Sequence, residues 1–315
     1  MNTDKYLAWW HEENHPNKKI DAASRLIDTD YLKLAHDPKF TLPRDANFFC
    51  IGSCFARNIE IILLNKGYKV LSTELEMPEA ALVKTKSAAG LLTKFNTYSM
   101  LNEVEVALNL KKNVDNGLVE IGPEQFYDPQ LHSVPYLSYH DAQATRRSVE
   151  GCFSKVAESD VCIITLGLTE MWWDDILNIP LNAGRPNWRK ALKENRYSFR
   201  NPSFSEIKDN VSKLCEIITE HSSRDVKIIL TVSPVPLQRT FSNKDIIVAN
   251  SYSKSCLRTV ANEVVEAYEN VDYFPSFEKV MFSPRGKTWH EDQRHVSSEI
   301  VKEITEQFIE LYMEK

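Results

Sequence analysis

Two side chains in this sequence stand where nucleophilic chemistry is possible: Ser53 towards one end of the chain and His295 towards the other. Ser53 lies in Gly52-Ser53-Cys54-Phe55-Ala56, directly after the apolar run Asn47-Phe48-Phe49-Cys50-Ile51 and ahead of apolar residues at helical spacing (Phe55, Ile59, Ile62, Leu63). That pattern predicts a strand turning into a helix. A serine at such a turn meets free backbone N–H groups and the positive end of the helix dipole, both of which stabilise a developing oxyanion. It is equally the position where a serine simply caps a helix. His295 closes Asp292-Gln293-Arg294-His295. A carboxylate three residues ahead of an imidazole on a tight turn can accept from Nδ1–H, which fixes the tautomer and turns Nε2 towards a nucleophile as general base. Alone, this spacing also describes a cap followed by a surface histidine. The order Ser, Asp, His on alternating strands and helices matches a known arrangement of nucleophilic catalysis.

Other residues could serve a ligand beside these three. Trp172 and Trp173 are adjacent, and indole faces pack against sugar C–H surfaces while the ring N–H bonds a hydroxyl; packing in the core is the alternative for at least one. Glu170 is read as a hydrogen-bond acceptor behind the site or as a helix N-terminal charge. His132 could touch substrate from an inserted segment or be structural. Asn96 stands ahead of a helical pattern at 97–108 and could cap it.

The elements that must position these residues are legible from apolar periodicity. Short apolar runs recur at 47–51, 68–71, 161–166, 226–232 and 271–274, with helical patterns at 55–66, 203–220, 245–268 and 296–312. Strands alternating with helices predict a mainly parallel sheet covered on both faces. Two stretches break the rhythm. Residues 109–141 carry the turn signals Asp115-Asn116-Gly117, Gly122-Pro123 and Asp128-Pro129, and residues 171–202 carry Trp172, Trp173, Trp188 and several prolines. Both read as insertions above the carboxyl ends of the strands, where open α/β sheets bind ligands. Residues 1–45 read as an N-terminal extension and 46–315 as the domain proper.

The chain has 315 residues, 43% of them hydrophobic, with 38 Lys and Arg against 44 Asp and Glu for a net charge of −6. Such a chain can bury a sizeable core and lacks the positive field that a phosphate backbone requires. The basic clusters Lys84/Lys86, Arg146/Arg147 and 185–193 are short, so nucleic acid is not expected as a partner. No run approaches the ~20 apolar residues of a membrane span, and residues 1–17 are too polar for a signal peptide, so a cytoplasmic protein is expected. The six cysteines include no CxxC pair; they read as buried thiols, and no metal site is expected.

The blocks Gly52-Ser53-Cys54-Phe55-Ala56, Phe95-Asn96-Thr97-Tyr98-Ser99, Thr165-Leu166-Gly167-Leu168-Thr169-Glu170, Thr231-Val232-Ser233-Pro234-Val235-Pro236, Tyr273-Phe274-Pro275-Ser276-Phe277-Glu278 and Asp292 to His295 occur in this order. They resemble the GSCFA family, a branch of the SGNH/GDSL hydrolase superfamily. The resemblance runs from about residue 47 to 300 and implies a three-layer α/β/α sandwich with a mainly parallel sheet. It carries over Ser53 as nucleophile, His295 as base and Asp292 as orienter, with Cys54 as packing, since the match falls on Ser53. In the superfamily the oxyanion donors are the nucleophile's own N–H, a glycine and an asparagine. The third block of this sequence has Gly167, but Thr169 stands where the wider superfamily has asparagine; the hole is then rebuilt, with Asn96 as a candidate donor, or weakened. The activity implied is acyl-ester chemistry through a seryl-acyl enzyme: hydrolysis of an O-acyl group, O-acetyl on a carbohydrate being the leading case. Transfer of that group in surface polysaccharide biosynthesis is the alternative, as is an impaired member that binds a glycan or a partner protein. The substrate expected is a small-molecule or glycan ester, and no cofactor is implied.

Overall fold

The computed structural model describes residues 22–26, 30–84, 88–132, 136–182 and 195–314. Residues 1–17 and, in the second insertion, Arg185, Pro186, Trp188 and Lys193 lie outside the described residues. In chain order the strands are β1 (Asn47–Gly52), β2 (Lys69–Val70), β3 (Val119–Gly122), β4 (Gln125–Tyr127), β5 (Val161–Leu166), β6 (Met171–Asp174), β7 (Ile179–Leu181), β8 (Tyr197–Arg200), β9 (Lys227–Val232) and β10 (Val271–Tyr273). Five of them form one sheet in the order β10-β9-β5-β1-β2, with every pair parallel. After β1 the chain goes outward to β2 and then returns to the other side of β1 as β5. The strand order therefore reverses between β1 and β5, and such a reversal opens a crevice at the carboxyl ends of the strands.

The strands are apolar throughout because both faces are covered. Alternate side chains leave on opposite faces, and they divide cleanly here. Phe49, Ile51, Cys162, Ile164, Ile228 and Leu230 join one core with helices Thr97–Ala107, Tyr139–Ser154, Phe204–His221 and Ile246–Ala267. Phe48, Cys50, Val161, Ile163 and Ile229 join a second core with helices Cys54–Asn65 and Ser298–Tyr312. The result is a three-layer α/β/α sandwich around a mainly parallel sheet. Each fully buried Ile or Phe contributes on the order of 2 kcal/mol, so the two cores supply most of the driving force. Helix starts follow the sequence: Ser203 and Glu206 form a reciprocal capping box, and Ser297 accepts from Ile300 N to start the last helix.

The two expected insertions are small antiparallel units. In the first, β3 and β4 pair across Pro123-Glu124, with Glu124 in the left-handed region. In the second, β6 pairs with both β7 and β8. The segment ahead of β1 is stitched to the far end of the chain. Leu42 N–H donates to Tyr312 O at 2.7 Å and Leu42 O accepts from Glu314 N at 3.0 Å, while Leu42 itself is fully buried. Among the described residues no helix is long and apolar enough to cross a membrane.

Candidate active site

Three adjacent central strands end side by side, and each delivers a polar group to one place: β1 runs into Ser53, β5 into Gly167 and β9 into Ser233. A fourth segment is threaded between the first two ends. Lys94 N–H donates to Gly52 O at 2.8 Å and Leu168 N–H to Phe95 O at 3.0 Å, so residues 94–95 bridge the crevice. The close approach explains two glycines. A Cβ on Gly167 would lie 2.3 Å from Phe95 O, and one on Gly52, at φ +149°, would lie 2.7 Å from Thr165 Cβ. Neither position admits a side chain without moving backbone.

Above these ends lies a cavity of about 970 Å³, lined by Ser53, Asn96, His132, Gly167, Ser233 and His295 among others. Ser53 is buried at its floor, 4% exposed. Its Oγ accepts from Phe55 N at 3.3 Å and donates to Ser233 Oγ at 3.1 Å. The capping role and the exposure to a ligand site are thus combined in one hydroxyl. His295 reaches the cavity from the opposite end of the chain, on the turn ahead of helix Ser298–Tyr312. Asp292 Oδ1 accepts from the N–H groups of Arg294 and His295, both at 3.0 Å, and its Oδ2 meets His295 Nδ1 at 2.5 Å. Those two N–H groups and then the imidazole hold the Asp292 carboxyl well below the usual carboxylate range. The pair lies at the rim, with the two side chains about half exposed.

Not every expected residue arrives. Thr169 is buried but does not line the cavity; its N–H donates to Ser253 Oγ at 3.0 Å, and its hydroxyl is enclosed away from the ligand space. Trp172 and Trp173 part ways because neighbours on a strand face opposite sides. Trp172 lines the cavity, packed edge-on against Phe241 and Phe199 at 5.0 and 5.7 Å between ring centroids. Trp173 turns outward, where the Arg200 guanidinium lies 4.2 Å over its ring. Asn96 lines the cavity, yet it caps helix Thr97–Ala107 through Ser99 N at 2.8 Å and donates from Nδ2 to Leu181 O at 2.9 Å. Only its second amide hydrogen is left for a ligand. Glu170 spends both oxygens on the loop after β9, accepting from Thr240 Oγ1 at 2.6 Å and Phe241 N at 3.2 Å. His132 packs edge-on to Phe95, and burial followed by the charge of Arg294 pushes its pKa down. Cys54, expected only to pack, also lines the cavity; burial keeps its thiol above the ordinary value, which disfavours the reactive thiolate.

The structure adds two cations that the motifs did not single out. Lys254, on helix Ile246–Ala267, is buried and donates to Gly167 O at 2.7 Å. No carboxylate pairs with it among the described residues, and burial pushes its pKa down to about 7. Its signal was in the sequence: Lys254, Leu257, Ala261 and Val264 fall on one helical face, so a lysine stands in an apolar stripe. The second cation is Arg294, which lines the cavity. Among the described residues no cluster of His, Cys, Asp and Glu is arranged to hold a metal.

The model of the GSCFA family matches residues 47–308. Among curated proteins, none matches this chain. Solved structures that resemble it include two carbohydrate esterases. One is a Clostridium thermocellum family 3 carbohydrate esterase, 8% identical with a TM-score of 0.34, the match covering 84% of this chain and 94% of that one. The other is a carbohydrate esterase family 2 enzyme plus carbohydrate-binding domain from Corynascus thermopiles (Myceliophthora fergusii), 13% identical with a TM-score of 0.35, covering 90% of this chain and 68% of that one. TM-scores this low add nothing to the geometry above.

Proposed function

This chain belongs to the GSCFA family, and we propose that it is a serine esterase that removes O-acyl groups, O-acetyl first among them, from a carbohydrate. The observation that carries this reading is the meeting of Ser53, Gly167 and His295 on one cavity, with Asp292 fixed on His295 Nδ1. In the reaction Ser53 Oγ attacks the ester carbonyl and His295 Nε2 takes its proton. The alcohol leaves with that proton, and water then attacks the acyl carbon with His295 again as base. The resting hydroxyl donates to Ser233, so that hydrogen bond is exchanged for one to the imidazole before attack.

The oxyanion falls to the N–H groups of Ser53 and Gly167, with the remaining amide hydrogen of Asn96 as a third donor. Gly167 is well prepared for this. The carbonyl before its N–H, Leu166 O, accepts from Ser233 N at 2.8 Å, and its own carbonyl accepts from Lys254, so the peptide units on either side are held. Thr169 takes no part. The aromatic wall of Trp172, Phe199 and Phe241 supports a sugar as the leaving alcohol, since stacked rings offer flat apolar surface to pyranose C–H groups.

A fluorophosphonate probe tests the assignment. Wild type should be labelled, Ser53→Ala should not, and Cys54→Ala should retain most of the labelling. Labelling that survives in Ser53→Ala and disappears in Cys54→Ala transfers the nucleophile to the thiol; an unlabelled wild type defeats the esterase reading.

A further inference from the structure

The charges around the cavity do not balance. Three arginines line it, Arg57, Arg239 and Arg294, against one carboxylate, Glu170. Arg57 is paired with Glu60 at 2.8 Å, and Glu170 keeps its charge but is held by Thr240 and Phe241, which leaves two arginines against one carboxylate among the described lining residues. Arg239, exposed on the loop after β9, and Arg294 are in no ion pair among the described residues. This happens in a chain whose net charge is −6, so the cationic character is local to the site.

Arg294 is the more telling of the two. Its Nε is buried without a hydrogen-bond partner. Its charge is felt at Cys54 on one side and at His132 on the other, which places the guanidinium among cavity-lining groups. It also directly precedes His295, and both residues line the cavity that holds Ser53. Asp292, two residues before it, does not serve as its counter-ion: that carboxylate takes the Arg294 backbone N–H and the His295 ring. A guanidinium offers a planar fork that matches a carboxylate in bidentate fashion, and a cleft with low-dielectric walls strengthens the attraction.

We propose that Arg294, with Arg239 lining the same cavity, binds an anionic oxygen group of the substrate, so that the preferred ester carries a carboxylate on its acyl part or on its sugar. This rests on the esterase reading for the word ester, but the anion site can be measured without turnover.

Two matched pairs of esters locate the carboxylate: O-succinylglucose against O-butyrylglucose for the acyl side, and O-acetylglucuronate against O-acetylglucose for the sugar side. In one pair kcat/KM for the acidic member should exceed that of its neutral twin by about tenfold or more, the range expected of one charge-assisted contact. Arg294→Gln should collapse that ratio and Arg294→Lys should restore part of it. Arg239→Gln, at an exposed position that leaves the core alone, should lower the ratio by a smaller factor. Calorimetry of succinate and glucuronate, with glucose as the neutral control, reads the site directly: one acid binds to wild type and loses that binding in Arg294→Gln. Neutral esters cleaved as well as acidic ones in both pairs, a preference that survives both variants, or equal slowing of acidic and neutral esters would each overturn the proposal. The last result would assign Arg294 to the oxyanion instead. Turnover without acid binding sinks this inference and spares the esterase; acid binding without turnover of any ester does the reverse.

Discussion

Buried charge is handled in opposite ways in two neighbouring regions of the molecule. Beneath the bridging segment, Lys94 bonds Glu103 and Gln130 O, while Arg146 bonds Glu103 and also meets Asp128 at 3.1 Å and Glu150 at 3.2 Å. Burial pushes the Glu103 carboxyl up, but Arg146 and Lys94 outweigh it and hold it below the ordinary value. Around the cavity, among the described residues, Lys254 has a single carbonyl acceptor and the buried Arg294 Nε has none. A network in which every charge faces an opposite one needs no ligand to complete it and works as a clamp. It fixes residues 94–95, and through them the crevice, by tying that segment to helices Thr97–Ala107 and Tyr139–Ser154. An open set of cations costs stability when empty and is tolerated where something else completes it.

The largest effect expected from disturbing either region is on turnover. Asp292→Asn should leave the protein folded and lower esterase kcat by about 10⁴-fold, because the amide no longer enforces the tautomer or stabilises the imidazolium. Wild-type turnover in a folded Asp292→Asn protein would remove the dyad from the chemistry. The closed network should show itself in stability instead. Glu103→Gln takes from Lys94 its carboxylate partner and from Arg146 one of three, and should cost about 3–5 kcal/mol in urea unfolding. A cost under about 1 kcal/mol would mean that the network is no clamp, and the contrast between the regions would fail.

Lys254 sharpens the comparison through pH. Its pKa of about 7 in the fold lies below the ordinary lysine value of 10.5, so between those limits the unfolded chain holds a proton that the folded chain lacks. Stability from this group therefore rises as pH climbs through that window and is lost as pH falls towards 7. Lys254→Met should accordingly compare best with wild type near pH 7, and the difference in unfolding free energy should move in favour of wild type by pH 9. A difference independent of pH would mean that the lysine is not strained by burial. The smallest effect separates the two tryptophans: Trp172→Ala should raise KM for a sugar ester several-fold, whereas Trp173→Ala, outside the cavity, should leave kcat and KM within about twofold. Equal losses would place the sugar elsewhere.

The contrast also marks what a sequence displays. The runs at 47–51, 161–166 and 226–232 announce their strands because parallel strands are apolar on both faces, and the structure has β1, β5 and β9 there. Ser53 and the Asp292–His295 turn are legible for the same local reason: each sits at a junction between a periodic segment and a break. Trp173 faces outward because facing on a strand is decided by one residue of register, which a motif does not encode, while Thr169 lies in the bend between β5 and β6, where no periodicity fixes its direction. Lys254 shows in the sequence only as a lysine in an apolar stripe, and Arg294 not at all, because an unpaired charge is defined by what is absent around it, and that needs every neighbour in three dimensions.

The stitch between Leu42 and the end of the chain bears on how this molecule is made. His36 and Tyr312 share a 2.7 Å hydrogen bond, and the Tyr312 hydroxyl donates to Asp272 at 2.8 Å, so His36 and Leu42 gain these partners only after helix Ser298–Tyr312 exists. During synthesis, which proceeds from the other end, the central strand β1 must wait with one face uncovered for most of the chain's emergence. A nascent chain arrested before residue 298 would lack the cover of Phe48 and the anchor of Leu42 together. Such a chain exposes apolar surface that the finished fold covers, which is the condition that favours aggregation over folding.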